Sequence, residues 1–123
     1  MGGAVTKSGS EMIKPDIKQR FIKALRSGKY KPAQGRLRRT GSEYEGFCCL
    51  GVLCQLHLEE TNTPWQGKDY QGSEASLPAE VINWALTPLG QTRSLQIQAN
   101  LIHINDRKLL GFKGIADYIQ DNY

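Results

Sequence analysis

Phe47-Cys48-Cys49-Leu50-Gly51-Val52-Leu53-Cys54 is the stretch that decides how this chain is read. It holds all three cysteines of the protein and no charge. It is either the central buried element of the fold or a thiol site. On a helical wheel from Cys48 to about Glu60, Cys48, Val52 and Leu56 share one side, while Leu50, Leu53 and His57 share the opposite one. Apolar residues therefore cover most of the circumference, the pattern of a helix packed on several sides. Gly51 lets a neighbouring backbone come close, at a cost in helix propensity. Free cysteines behave as small core hydrophobes, so the stretch reads first as the centre of a core.

Working outward, Pro15 and Asp16 open a helix with Ile17, Phe21, Ala24 and Leu25 on one face and Lys18, Arg20, Lys23 and Arg26 around the rest. Gly28 is its stop. Tyr30 to Gly35 reads as a loop. Arg36-Leu37-Arg38-Arg39 and Tyr44 to Phe47 read as the strands of a hairpin turning at Thr40-Gly41-Ser42. Asn62 to Ser76 is a long loop pinned by Trp65 and Tyr70. Pro78 begins a short helix burying Val81, Ile82, Trp84 and Ala85, closed by Pro88 and Gly90. Leu95 to Ile104 alternates like a strand, yet Ile97, Leu101 and Ile104 also fit a helix. Helix is preferred, because Gln96, Gln98 and Asn100 lack β-propensity. Asn105-Asp106 marks a break or cap, and Phe112, Ile115, Ala116 and Ile119 form a helical face. The expectation is a compact, helix-dominated α+β domain over residues 14–123, with about four helices, a small hairpin near 36–47 and a flexible leader over 1–13.

Residues 14–39 carry ten of the sixteen Lys/Arg against one acid, Asp16, a local balance of +9 in a chain whose net charge is +4. The remainder is mildly acidic. No apolar run reaches the length of a membrane span, and the Gly/Ser-rich start lacks the apolar core of a signal peptide. Three clustered cysteines, an odd number, argue for reduced thiols in a cytoplasm over a secreted disulfide framework.

Three kinds of chemistry compete. Cys48 or Cys49 near a helix N-terminus is a candidate nucleophile, since the helix dipole favours a thiolate. His57 lies eight or nine residues along the same helix, about 12–14 Å away, too far to take the proton. A cysteine-dependent hydrolase would thus need His103 as base and Asn105 or Asp106 as orienter. A zinc site from Cys48, Cys49, Cys54 and His57 lacks the spaced ligand pairs of structural zinc. Gly111-Phe112-Lys113-Gly114 has the wrong spacing for a phosphate loop. Asp106 with Asp117 and Asp121 could form a metal or acid/base group, but Asp117 and Asp121 lie one turn apart and read better as a solvated face. No catalytic residue, metal or cofactor is expected. The third kind is binding. Lys29, Lys31, Arg36, Arg38 and Arg39 are the best candidates to hold phosphates or an acidic surface. Nucleic acid through segment 14–39 is an alternative, although only Phe21 and Tyr30 interleave aromatics with these charges.

The runs ALRSGKYKPAQGRLRR, FCCLGVLCQLHLEE, LPAEVINWAL and LIHINDRKLLGFKGIADYIQDNY resemble a family of small uncharacterised proteins of tailed phages and prophages, over roughly residues 18–123. The resemblance implies a setting, infection of a bacterium, and no reaction. Such proteins bind or block host factors, in some cases to counter defence. The expectation is a non-enzymatic accessory protein in the host cytoplasm that binds a host protein or a phosphate-bearing ligand.

Overall fold

In the computed structural model, which describes residues 12–40, 45–107 and 110–123, the chain runs through α1 (Pro15–Arg26), β1 (Arg38–Arg39), β2 (Gly46–Phe47), α2 (Cys49–Thr61), α3 (Ala79–Ala85), α4 (Gln91–Asp106) and α5 (Phe112–Asn122). The strands pair antiparallel, Arg38 with Phe47 and Arg39 with Gly46. The fold is α+β and helix-dominated, with five helices among the described residues where about four were expected. The hairpin keeps its place but shortens: Arg36 and Leu37 lie outside β1, and Tyr44 with most of the turn falls outside the described residues.

The apolar stretch is the hub. α2 packs against α1, α3, α4 and β2, and residues on every side of it are buried, including Leu50, Val52, Leu53, Cys54, Leu56 and His57. This is the all-round burial that its wheel requires. Cys48 sits just outside the helix as its N-cap, in extended conformation, with its sulfur accepting the Gly51 N–H at 3.4 Å. Asn105 Oδ1 on α4 accepts the Cys49 N–H at 3.1 Å. A thiol and an amide thus satisfy first-turn donors that a helix cannot satisfy itself. Asn62 ends α2 in the left-handed region (φ 61°), returning its N–H to the Leu58 carbonyl at 2.6 Å. Gly51 has a sharper role than close packing in general. A Cβ there would collide with the Leu37 carbonyl oxygen, so the chain entering β1 lies directly on α2.

α1 and α5 form the most extensive helix pair, joining Ile17, Phe21 and Leu25 with Ile115, Ala116 and Ile119 in one core. Lys18 departs from its expected place on the solvent face, being only 8% exposed. Met12 and Ile13, read from the sequence as part of the leader, are packed into the fold. Ile13 is buried and bridges Leu86, and the N–H groups of Met12 and Ile13 both donate to the main-chain oxygen of Tyr123. Residues 1–11 lie outside the described residues. In α4, Ile97, Leu101 and Ile104 are buried and Leu95 is 51% exposed; the helical period explains both, and the strand alternation does not. No helix among the described residues is long and apolar enough to cross a membrane.

Candidate functional site

The thiols come first, because chemistry there would define an enzyme. Cys48, Cys49 and Cys54 are all buried and free. Burial pushes the Cys48 thiol from its ordinary 9.0 up to about 11, against the pull of the Gly51 and Leu50 N–H groups. It raises Cys49 and Cys54 as well, where the neighbouring Cys48 adds to the effect. The helix end that was expected to acidify a thiolate is therefore overruled by desolvation. His103 is exposed on α4, and among the described residues no hydrogen bond joins it to a thiol, Asn105 or Asp106. The last two have other work. Asn105 Nδ2 donates to the Ala33 carbonyl at 2.8 Å, and Asp106 Oδ1 accepts the Gly35 N–H at 3.1 Å. The residues read as orienters instead hold the loop that carries the basic segment. Among the described residues no group of three His, Cys, Asp or Glu is placed to hold a metal ion.

That loop is clamped along its length. Phe47 donates its N–H to the Lys31 carbonyl at 2.8 Å and accepts from the Ala33 N–H at 2.7 Å. Cys48 donates to Leu37 at 3.1 Å, and Leu37 donates to Glu74 at 2.7 Å. Gly46 is needed where the loop crosses β2, since a Cβ there would lie 2.5 Å from the Lys31 carbonyl oxygen. The backbone is thus satisfied inward, and the side chains of Lys29, Lys31 and Arg39 project outward and are exposed.

Two groups of cations in the basic segment differ in their partners. On α1, Arg20 meets Glu60 at 2.8 Å and Arg26 meets Asp117 at 2.6 Å. The bonds from Arg20 and from the Trp84 indole hold the Glu60 carboxyl below its usual range. On the loop and β1, Lys29, Lys31, Arg38 and Arg39 have no carboxylate partner among the described residues. Arg39 Nε donates to the Gln34 carbonyl at 2.6 Å, and Arg38 to that of Gly67 at 3.3 Å. Arg36 leaves the predicted group: its side chain is 24% exposed and pairs with Glu74 at 3.6 Å. Lys113, outside the basic segment, joins the group instead. It lines a groove of about 690 Å³ with Lys29 and Lys31.

The aromatic content beside these charges was underestimated. Phe21 is fully buried in the core, but Tyr30, Phe47, Trp65, Tyr70, His57 and Trp84 form a continuous row, with ring centres 5.4, 5.9, 5.0, 5.7 and 5.1 Å apart in that order. Three cations lie over it: Lys29 over Tyr30 at 5.6 Å, Arg38 over Trp65 at 5.2 Å and Arg20 over Trp84 at 5.5 Å. At the row's first end Tyr30 is bonded to Glu59, and burial, followed by that carboxylate's charge, raises its phenol. Further along, His57 is 1% exposed and uses both ring nitrogens, Nδ1 with the Tyr70 hydroxyl at 2.7 Å and Nε2 with Glu80 at 3.1 Å. It latches the 62–76 loop and α3 onto α2, which gives this buried polar side chain a structural reason.

Residues 13–123 match the family DUF8296, described as a domain of unknown function. The chain belongs to that family. No curated protein and no solved structure matches it. The DUF8296 chain has a thiol-rich core with raised pKa values, a histidine latch, and a clamped basic edge whose cations are not neutralised within the described fold.

Proposed function

We propose that this DUF8296 protein is a non-catalytic binding protein whose contact surface is the basic edge formed by Lys29, Lys31, Arg38 and Arg39, extended by Lys113. One observation carries the reading: these cations project from a backbone held by hydrogen bonds, with no carboxylate partner among the described residues, whereas the α1 arginines are paired. A fixed backbone lowers the ordering cost of binding, and unneutralised cations steer an anionic partner toward the edge. In keeping with the resemblance to phage and prophage proteins, the partner is a host factor in the bacterial cytoplasm. It is an acidic protein surface or a phosphate-bearing ligand, and interference with host defence is one role such binding serves.

The test is affinity capture from bacterial lysate with the immobilised protein, with and without nuclease treatment and over a salt series. The expected result is an acidic protein retained after nuclease treatment and released as salt rises. Capture that nuclease abolishes transfers the reading to nucleic acid. Retention that salt does not weaken contradicts a charged contact of either kind.

A further inference from the structure

The basic edge borders a groove, and the groove says more about the partner than the charges do. Its walls are the chain from Gly28 to Pro32 on one side and the start of α5, Gly111 to Lys113, on the other, with Leu25 between them. Among the described residues, three lysines line it, Lys29, Lys31 and Lys113, and no acidic side chain does. The rest of the lining is Leu25, Tyr30, Pro32, Phe112 and two glycines, Gly28 and Gly111. At about 690 Å³ it lies within the range of binding clefts. α5 starts at Phe112 without a side-chain cap, so the positive end of its dipole adds to the field of the lysines.

We propose that this groove takes an acidic amphipathic segment of a partner protein, with apolar side chains seated on Pro32 and the accessible part of Tyr30 and flanking carboxylates on Lys29, Lys31 and Lys113. The inference rests on the reading above, that the basic edge is a binding surface. The charge complementarity is one-sided, because the charged residues lining the groove are all cations among the described residues. Its apolar lining, accessible at Pro32 and in part at Tyr30, distinguishes it from a plain phosphate binder. Single-stranded nucleic acid fits less well. Base stacking requires open ring faces, whereas Tyr30 carries Lys29 over its face and Phe47 against its ring, and Phe112 is 8% exposed. Acidic helices that lay an apolar stripe into a groove are a recurrent mode of recognition, read as anchors three and four residues apart.

The groove can be filled without disturbing the fold. Gly111 has φ −75°, and a Cβ built there meets nothing within 4 Å. Gly111→Trp therefore places a bulky side chain at the groove with little strain. The experiment selects binders to the whole protein from a displayed library of short random peptides, then measures the selected peptides by fluorescence polarisation, beside labelled oligothymidylate and polyglutamate. The expected result is enrichment of peptides with acids around apolar residues at helical spacing. Their affinity falls about tenfold or more, at least 1.4 kcal/mol, with Gly111→Trp and with Lys29→Glu/Lys113→Glu, while both variants melt as the wild type does. Binding of the selected peptides that Gly111→Trp leaves intact, or polyglutamate binding as tightly as they do, overturns the groove while the basic edge stands. Oligothymidylate binding more tightly than any peptide, and blocked by Gly111→Trp, also overturns it in favour of a nucleic acid. If none of the three probes binds, the groove and the basic edge fall together.

Discussion

α1 and the 29–39 edge are both rich in cations, and they use them differently. Arg20 and Arg26 reach across to Glu60 and Asp117 and tie α1 to α2 and α5. Lys29, Lys31, Arg38 and Arg39 lie on aromatic rings, backbone carbonyls or nothing, over a backbone that the core holds in place. The first set is part of the fold's internal electrostatics. The second meets no carboxylate among the described residues, which is the basis of the proposed contact surface. The lesson is that the basic third of the chain is not one surface: Arg20, Arg26 and Arg36 meet acids, whereas Lys29, Lys31, Arg38 and Arg39 meet none among the described residues.

The strongest way to break the comparison is to break the clamp beneath the edge. Gly51→Ala drives a methyl group into the Leu37 carbonyl. The variant should lose about 3 kcal/mol or more, as overpacking against rigid backbone does, or fail to fold, as read by urea denaturation. Equal stability would mean that the loop can lift from α2, and that the edge is not preset.

Asn105→Ala removes the acceptor for Cys49 N–H and a donor to the Ala33 carbonyl. Two buried groups lose their partner, each costing about 1–3 kcal/mol. The expected loss is about 2–4 kcal/mol, with amide exchange rising in residues 33–37 by hydrogen-exchange mass spectrometry. Exchange confined to α4 would place the cost elsewhere.

The thiol core beneath the edge sharpens the contrast through pH. An unfolded thiol ionises near its ordinary 9.0, and folded Cys48 near about 11. Between the two, the unfolded chain releases a proton that the folded chain keeps. Stability is therefore intact below about pH 9 and falls as pH rises toward 11, by up to about 1.4 kcal/mol per unit for each such thiol. Cys48→Ser keeps a capping atom that does not titrate in this window, so its decline above pH 9 should be shallower in urea titrations at pH 7, 9 and 10. A parallel decline would remove Cys48 as a cause.

The smallest effects separate the two sets directly. Arg20→Ala and Arg26→Ala should each cost up to about 1 kcal/mol, the range of exposed ion pairs. Lys31→Ala, whose ammonium has no partner among the described residues, should stay within about 0.5 kcal/mol of wild type. Differential scanning calorimetry at low salt reads all three. A Lys31 effect as large as that of Arg26 would erase the distinction.

Much of the fold was legible because it depends on local period. The wheel of Cys48–Glu60 and the face of Phe112, Ile115, Ala116 and Ile119 follow from spacing alone, and the choice of helix over strand for Ile97, Leu101 and Ile104 follows from spacing together with the low β-propensity of Gln96, Gln98 and Asn100. What escaped depends on partners distant in the chain. Cys48 reads as a helix residue until Asn105, far along the sequence, is seen capping its neighbour. The aromatic row draws on positions 30, 47, 57, 65, 70 and 84, which share no period, and Lys113 reaches the edge only because α5 packs on α1. Arg36 was named with Arg38 and Arg39 because a run of bases carries no sign of which one meets an acid. The signal that was available, Trp65 and Tyr70 as anchors of a long loop, pointed to the row without naming its other end.

The central claim is about location of charge, so the most direct measurement holds total charge change constant and moves it. Arg38→Glu/Arg39→Glu and Arg20→Glu/Arg26→Glu lower the net charge equally, one on the edge and one on α1. Capture of the lysate protein retained by the wild type is compared for both at the same salt. The account predicts that the edge variant loses the partner and the α1 variant keeps it. Equal loss from both, or loss from the α1 variant alone, contradicts the account.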